Sequence, residues 1–303
     1  MPTIRPLMPS ELDTWFDFVA RVFGVDRSYF VRHWQSDPDR RVDAIRIALV
    51  DGQIASTLRI FPRRIYLAGQ PVTMGGIGEV CTDPAYRGQG LSGLLLDDAA
   101  RFMAAEEMAV SLLFASYHSH YGRHGWQVVP MLMGLADLPA SDREVYPADP
   151  IADGAQMRRL HGAYASRFGG AIVRESLDYW REWIPGEWKR AVTCRSAHGI
   201  TAYLAANWTG PAELYIEDFA TDDPALFPEL VGALIRDRGL ASATVRFPLA
   251  IAPHLPGGRV ERNEGPMYRI NRPDLLTREA AGHLDRMLRG EVADHLIFQS
   301  DWF

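Results

Sequence analysis

One short segment of the sequence concentrates residues that are able to bind an anion. In DPAYRGQGLSG, residues 83–93, Arg87 precedes two glycines, Gly88 and Gly90, between a β-rich run and a helix-forming run. A strand that enters a helix through a glycine-rich turn points backbone N–H groups at one place, at the positive end of the helix dipole. Glycine lets the backbone approach a pyrophosphate, and arginine adds charge-assisted hydrogen bonds. The alternative interpretation is a turn that requires positive φ, with Arg87 solvated.

The elements around this segment are predicted by hydrophobic periodicity and turn residues. The segment SELDTWFDFVARVFG has apolar residues at helical spacing, and Asp51-Gly52 between two β-rich runs predicts a hairpin. Further predicted elements are a strand at 3–6, strands at 63–69 and 71–83, a helix at 91–109 and a buried strand at 110–117. The order of helix, antiparallel strands, glycine turn, helix and strand predicts an α+β fold with a mixed sheet.

The second half of the sequence repeats the layout of the first. A helix and a tryptophan-containing segment at 160–185 precede a second hairpin around His198-Gly199, and a strand and helix follow at 212–239. Where the first copy has Arg87-Gly88-Gln89-Gly90, the second has TDDPALFPEL, without arginine or glycine. We therefore predict two tandem domains, residues 1–138 and 153–303, joined by a linker at 139–152, with the second copy degenerate.

The amino-acid composition of the chain limits the classes of molecule that it is expected to bind. The chain has 303 residues, 47% of them hydrophobic, and a net charge of −6, which argues against a nucleic-acid surface and suits an amine substrate. Its two cysteines lack metal-ligand spacing, and no signal-peptide core or long apolar run is present. These features predict a cytoplasmic protein without a membrane partner, and they leave a homo-oligomer open.

The run VCTDPAYRGQGLSGLLL closely resembles the coenzyme A signature of the GCN5-related N-acetyltransferase (GNAT) superfamily. The usual form is Gln/Arg-x-x-Gly-x-Gly/Ala, so Ser92 departs at the last place. The stretch YGRHGW and the duplicated layout are similar to the enhanced intracellular survival acetyltransferases, which have two acetyltransferase-like domains and a sterol-carrier-like domain. The sequence here ends before such a third domain. The resemblance covers the first half by motif and the second half by layout alone.

The resemblance implies acetyl-CoA as co-substrate and assigns residues to it. The backbone N–H of Val80 would bind the oxyanion, and Cys81 and Thr82 would pair with the pantetheine arm as an added strand. Ser116 falls where the related enzymes have a serine near the cofactor. The pyrophosphate would be held by Arg87 and by the backbone amides of Gly88, Gln89, Gly90, Leu91 and Ser92.

Acetyl transfer to an amine also needs an acid for the leaving thiolate. Tyr121, which matches the family's tyrosine before a Gly-aromatic pair, is the candidate, because a phenol with a pKa of about 10 stays protonated. The alternative is a core tyrosine with a satisfied hydroxyl. Cys81 as a nucleophile is disfavoured, because no histidine near it in sequence would form a thiolate.

Three carboxylates are candidates for the acceptor side, where an amine must lose a proton. Glu79 precedes Val80, so strand alternation places its side chain on the opposite face, where it would attract a cationic amine. Asp26 follows the first helix and is the weaker candidate. The resemblance implies that a C-terminal phenylalanine carboxylate acts as base, which here is Phe303, although HLIFQSDWF also has the pattern of an ordinary last strand.

Two other groups of residues have a functional interpretation as well as a structural one, and we predict the structural role for both. His118, His120 and His124 have spacing too unspecific for a metal site, so no metal is predicted. Trp180, Trp183 and Trp188 are predicted to be core rather than a cation-binding pocket. The sequence therefore predicts an acetyl-CoA-dependent N-acetyltransferase that acts on a primary amine of a small molecule or peptide by direct attack. The alternatives are a non-catalytic acyl-CoA-binding or sensory protein, and a purely structural tandem repeat.

Overall fold

A computed structural model describes residues 2–253, 255 and 258–303. In chain order the strands are β1 (Thr3–Pro6), β2 (Ile45–Val50), β3 (Gln53–Leu67), β4 (Gln70–Thr82), β5 (Val110–Phe114), β6 (Gln127–Val128), β7 (Met131–Pro139), β8 (Tyr146–Pro147), β9 (Arg190–Ser196), β10 (Gly199–Gly210), β11 (Glu213–Thr221), β12 (Ser242–Pro248), β13 (Arg259–Asn263) and β14 (Pro266–Ile270). The helices are α1 (Leu12–Phe23), α2 (Arg27–Ser36), α3 (Leu91–Ala105), α4 (His118–Gly122), α5 (Gly154–Ala165), α6 (Ile184–Glu187), α7 (Leu226–Asp237) and α8 (Arg278–Leu288).

The strands form two mixed sheets of seven strands each, which confirms the predicted α+β class and the two tandem domains of acetyltransferase type. The first sheet has the order β1-β2-β3-β4-β5-β14-β6, and the second has the order β13-β7-β12-β11-β10-β9-β8. Each sheet contains one parallel pair, β4 with β5 and β11 with β12. The second half thus repeats the first at the level of pairing, as the duplicated pattern predicted.

The hairpin between β2 and β3 forms where the turn residues predicted it. Asp51 and Gly52 have φ values of 49° and 76°, the left-handed conformation that a two-residue hairpin turn requires. Strand β3 is longer than predicted, because the two β-rich runs that flank Pro62 form one continuous strand of 15 residues. This long strand carries both Arg59 and Phe61 towards the centre of the molecule.

Helix α3 packs its apolar side on the first sheet and so fixes the position of the glycine-rich turn. Its buried residues include Leu91, Leu95 and Met103. Gly90 precedes the helix in the left-handed conformation, with φ of 75°, and no side chain caps the helix start. The first turn of α3 therefore begins at the sheet edge with its N–H groups uncapped by any side chain.

The parallel strands β4 and β5 separate beside this turn. They pair from Met74 to Ile77 and diverge beyond that point. The pairing of β3 with β4 shifts register between Thr57 and Arg59, which leaves a bulge at Glu79 and Val80. Glu79 has φ of 53°, an uncommon conformation for a residue other than glycine. The divergence opens the sheet where the acetyl group of a thioester was expected.

The two sheets exchange strands, which the sequence did not predict. β7 pairs with β12 and β13 in the second sheet, whereas β14 returns to pair with β5 and β6 in the first. Within the predicted linker 139–152, the short strand β8 pairs with β9. A division of the chain at residues 138 and 153 therefore does not separate the sheets, because each half completes the other's sheet.

The last residues do not form the strand that HLIFQSDWF suggested. Residues 295–303 contain only an isolated bridge between Gly169 and His295 and a 3₁₀ turn at Gln299–Asp301. Leu296, Ile297 and Phe298 are buried, so the apolar pattern reflects burial between the domains rather than sheet pairing. Among the described residues, no helix is long and apolar enough to cross a membrane.

Candidate active site

The glycine-rich turn has the geometry of an anion site. Gly88 and Gly90 have φ values of 76° and 75°, which a side chain rarely adopts, while a Cβ at either position would meet nothing within 4 Å. The glycines are thus required by backbone conformation rather than by crowding. Within the described residues, the backbone N–H groups from Gly88 to Ser92 donate no hydrogen bond, so they remain available to a ligand at the start of α3.

Arg87 and Ser92 flank these N–H groups and are held by different contacts. The Nε atom of Arg87 donates to the carbonyl oxygen of Thr82 at 3.3 Å, which places its guanidinium beside the end of β4. The Ser92 hydroxyl lies 3.2 Å from Nε2 of His120. The serine at which the signature departs from its usual form therefore links α3 to α4 through a histidine.

A cavity of about 510 Å³ brings five of the ten predicted cofactor residues together. It lies between the end of β4, the turn before α3, and α4. The residues that line it are Val22, Phe23, Val80, Cys81, Thr82, Arg87, Ser92, Tyr117, Ser119, His120 and Tyr121. The divergence of β4 from β5, the free N–H groups and Tyr121 thus border one space.

Tyr121 lies on α4 at the inner end of this cavity. Burial raises the pKa of its phenol, so the hydroxyl stays protonated across the physiological pH range. Its ring contacts His120 edge-on, with 5.0 Å between ring centroids, and packs on the core of the first domain. In the described residues the hydroxyl makes no hydrogen bond, as a proton donor facing a ligand space would require.

Cys81 is an unreactive thiol. Burial, with a further contribution from Glu79, raises its pKa to about 12. The thiol is therefore protonated at neutral pH and lacks the thiolate that a nucleophile needs. The cysteine instead packs among α1, α2 and β2.

Two predicted residues lie apart from this cavity. Ser116 borders a different space of about 510 Å³, between the end of β5 and Trp302, so the structure does not bring it to the glycine-rich turn. Asp26 caps α2, where its carboxylate accepts a hydrogen bond from the Ser28 backbone N–H at 2.8 Å. Hydrogen bonds from the Ser28 side chain and from its backbone N–H lower the pKa of Asp26, which is the behaviour of a helix cap.

Glu79 points away from the cofactor cavity, towards α2. Its Oε1 lies 3.3 Å from Nδ1 of His33 and 3.6 Å from the Arg59 guanidinium. Its side chain is only 7% exposed, and its other oxygen, Oε2, is buried without a hydrogen-bond partner in the described structure. A buried carboxylate oxygen without a donor is costly unless a ligand supplies one. Among the predicted acceptor-side residues, Glu79 is thus the one with a buried carboxylate oxygen that has no partner in the described structure.

Phe303 lies against β4 immediately before Glu79. Its ring stacks on Phe61, with 5.4 Å between centroids, and covers Gly76. Its main-chain carbonyl carbon and oxygen lie 2.7 Å from the position that a Cβ at Gly78 would take. Only glycine at 78 leaves room for this end of the chain. The predicted carboxylate and Glu79 therefore flank the bulge where β4 leaves β5.

A buried ion network holds the segment that leads to Phe303. Arg174 is fully buried, pairs with Asp218 at 2.6 Å, and donates twice to Asp301 at 2.8 Å. Tyr179 also donates to Asp301 at 3.0 Å, and Trp183 donates to the Ser300 carbonyl at 2.8 Å. The second domain thus fixes the backbone two residues before Phe303.

The second domain lacks the features of the first at the matching helix. Helix α7 follows Asp222 and Asp223 rather than an arginine and glycines. The Asp223 carboxylate accepts the backbone N–H of Ala225, the residue before α7, at 3.0 Å. An external phosphate at this helix start would meet the negative charge of Asp223.

The structure assigns the remaining predicted groups to packing. Trp180 and Trp183 are fully buried, and Trp188 packs on the same core, as expected for core residues. The described residues contain no group of three or more His, Cys, Asp or Glu side chains that could hold a metal ion. His120 and His124 instead pair with Ser92 and Asp97.

Sequence reasoning missed three side chains at the acceptor side. His33 from α2 and Arg59 from β3 lie beside the Glu79 carboxylate, and Trp183 of the second domain packs on the His33 ring. They are separated from Glu79 by 20 residues or more in sequence, and no motif links them. The one available signal was the unusual arginine within the apolar run STLRIFP, which indicated a buried ion pair.

Comparison with known proteins agrees with this geometry. Residues 3–129 match the family model described as an acetyltransferase (GNAT) domain. No curated protein matches the sequence significantly.

Solved structures share the fold over most of the chain. A probable N-acyltransferase from Enterococcus faecalis is similar with a TM-score of 0.73 and 15% identity, over 92% of this chain and 75% of that one. A GCN5-related N-acetyltransferase from Kribbella flavida has a TM-score of 0.69 and 20% identity, over 89% and 71%. Eis1 from Mycobacterium abscessus has a TM-score of 0.64 and 15% identity, over 89% and 74%. The N-terminal part of the chain, residues 3–129, is thus similar to the GNAT acetyltransferase domain, and the chain as a whole shares the fold of these solved structures.

Proposed function

We propose that this protein is an acetyl-CoA-dependent N-acetyltransferase that transfers the acetyl group to a primary amine by direct attack. The observation that carries the proposal is the single cavity that Val80, Arg87, Ser92 and Tyr121 line, beside free N–H groups at the start of α3. Acetyl-CoA supplies a thioester, an electrophilic carbonyl with a good leaving group. The residues present suit it, since they offer donors to a pyrophosphate and a narrow strand gap to the thioester.

Each residue of this cavity has one role in the proposal. Arg87 and the N–H groups of Gly88 to Ser92 bind the pyrophosphate. The Val80 N–H, beside the bulge, donates to the carbonyl oxygen as negative charge develops on it. Cys81 and Thr82 pair with the pantetheine arm. Tyr121 donates its proton to the departing thiolate.

In the proposal, the amine acceptor binds on a side of the active site that carries negative charge. Glu79 offers its unpaired Oε2 to a cationic amine, and the carboxylate at Phe303 lies against the neighbouring Gly78 of the same strand, β4. A proton leaves the attacking nitrogen for the Phe303 carboxylate. The acceptor is a small molecule or a peptide, drawn by the net charge of −6.

Replacement of Tyr121 by phenylalanine tests whether the cavity is catalytic. We expect the wild-type protein to release CoA in the presence of a primary amine, and Tyr121→Phe to lower kcat by about 100-fold with unchanged affinity for acetyl-CoA. Tyr146→Phe, an exposed tyrosine on β8 outside this cavity, is the matched control and is expected to retain kcat. Tight acetyl-CoA binding without turnover on polyamines, aminoglycosides or basic peptides would establish the non-catalytic alternative instead.

A further inference from the structure

Acetylation of an ammonium ion requires the nitrogen to lose two protons. One of them can end on the sulfur of CoA, whereas the other must leave for solvent. The proposed function supplies one acceptor, the carboxylate at Phe303, which is suited to the acidic nitrogen of the tetrahedral adduct. A free ammonium ion is a much weaker acid, with a pKa of about 10.4 for a lysine-like amine, and it needs a stronger base.

His33 has the environment of an oriented base. Its Nδ1 lies 3.3 Å from the Glu79 carboxylate, and Arg59 balances the charge of that carboxylate from 3.6 Å. Because an ionised carboxylate only accepts hydrogen bonds, the neutral imidazole beside Glu79 is the tautomer with its proton on Nδ1 and its lone pair on Nε2. Within the described part of the chain, Nε2 has no hydrogen-bond partner.

Aromatic rings fix the plane of the His33 imidazole. Tyr29 stacks on one face, at 5.7 Å between centroids and 11° between planes, while Trp183 of the second domain lies at 4.7 Å and Phe61 at 5.6 Å. The His33 side chain is 10% exposed, so one edge remains open to a ligand. Tyr29 and Glu187 border the same place, and burial raises the pKa of both.

Phe61 connects this group to the reacting end of β4. Its ring packs against His33 and also against Phe303, and its Cε2 lies 3.0 Å from the Cβ position of Gly78. His33, Glu79 and Phe303 therefore converge on the two residues that precede Val80. Such a histidine, held at one nitrogen by a carboxylate and free at the other, is the usual arrangement of a general base.

We infer that His33 is a catalytic residue that takes the first proton from the acceptor ammonium, with Glu79 orienting it. This inference rests on the proposed function. The N–H bond of the ammonium breaks, its electron pair stays on nitrogen, and the proton binds Nε2. The neutral amine forms the N–C bond to the carbonyl carbon, and the C–S bond breaks as Tyr121 protonates sulfur.

The remaining protons balance the reaction. The second nitrogen proton moves to the Phe303 carboxylate and from there replaces the proton lost by Tyr121. His33 releases the first proton to solvent. The sum is one ammonium ion and acetyl-CoA converted to one amide, free CoA and one proton.

Two substitutions at position 33 test the inference with imidazole rescue. His33→Ala is expected to lower kcat by about 100-fold, with an unchanged KM for acetyl-CoA, and added imidazole is expected to restore a large part of the rate. His33→Asn keeps a donor near Glu79 but offers no base, so it is expected to fold and to lose kcat similarly. His198→Ala, at the tip of the second hairpin, is the matched histidine control and is expected to keep full activity.

The outcomes separate this inference from the proposed function. A kcat for His33→Asn within two-fold of wild type, or an inactive but folded His33→Ala variant that imidazole leaves inactive, would overturn the role of His33 while wild-type turnover stands. Wild-type protein that binds acetyl-CoA and acetylates no amine would overturn both.

Discussion

Replacement of Gly76 by alanine is expected to displace Phe303 and to lower kcat. The ring of Phe303 lies directly over Gly76: a Cβ there would meet the ring Cζ and would lie 2.5 Å from Cε2. Ordinary contact begins at 3.4 Å, so the ring must move by at least about 0.9 Å. The main-chain carbonyl group of Phe303 lies against Gly78, so it moves with the ring. A displacement of about 1 Å of a catalytic group lowers rates by about 100-fold.

Gly75→Ala provides the matched control on the opposite face of the same strand. There a Cβ would lie 2.9 Å from the Met108 sulfur and also against Met103, whose flexible side chain can shift. Both variants are expected to lose about 1–3 kcal/mol of unfolding free energy through overpacking. Only Gly76→Ala is expected to lower kcat further.

Urea denaturation and CoA release measured on both variants provide the test. Equal kcat values for Gly76→Ala and Gly75→Ala, at similar stability, would refute the reasoning that ties Phe303 to catalysis. The wild-type sequence extended by one residue after Phe303 gives an independent test of the carboxylate, since the extension removes the carboxylate from position 303 without any change in β4.

The remaining predictions concern the cofactor site, the cysteine and acid stability. Arg87→Ala is expected to weaken acetyl-CoA binding by about 10-fold in calorimetry, through the loss of a charge-assisted hydrogen bond; unchanged affinity would place the pyrophosphate elsewhere. Cys81→Ala is expected to retain kcat, because the pKa of about 12 keeps the thiol protonated; loss of activity with retained fold would contradict this. Burial lowers the pKa of His161 to about 3 and that of His295 to about 4, so the unfolded chain takes up protons first as pH falls below about 6.5. Each histidine is therefore expected to cost about 2 kcal/mol of stability between pH 7 and pH 5, measured by urea denaturation, and a constant stability would contradict it.

Local patterns predicted the elements of the fold and the glycine-rich turn before α3. The turn at Asp51-Gly52 and the start of α3 depend on backbone conformations that glycine and its neighbours encode within a few residues. The duplicated pattern predicted two similar sheets, because each copy carries its own hairpin and helix. The same local signal located the free N–H groups after Gly88.

The exchange of β7 and β14 between sheets has no local signature. The sequence of a strand such as Met131–Pro139 does not indicate which sheet the strand joins. Its partners in β12 lie about a hundred residues away in the chain. The last residues of the sequence show the same ambiguity, since Leu296 and Phe298 are buried between domains without strand pairing.

The acceptor side was predictable only in part. Glu79 was identified by its place before Val80, but its partner His33 lies on α2, 46 residues earlier. Such a pair depends on how α2 packs against the first sheet and the second domain. Side-chain geometry assembled by tertiary packing leaves no spacing pattern in the sequence.

A single-turnover experiment with acetyl-labelled CoA tests the central claim, direct acetyl transfer to an amine, most directly. The enzyme is mixed with the labelled cofactor, with and without a primary amine, and the label is located after quenching. We predict that the label appears on the amine nitrogen when the acceptor is present, and that no label is bound to protein when it is absent. Labelled protein in the absence of acceptor, or label that stays on CoA with every amine, would contradict the account.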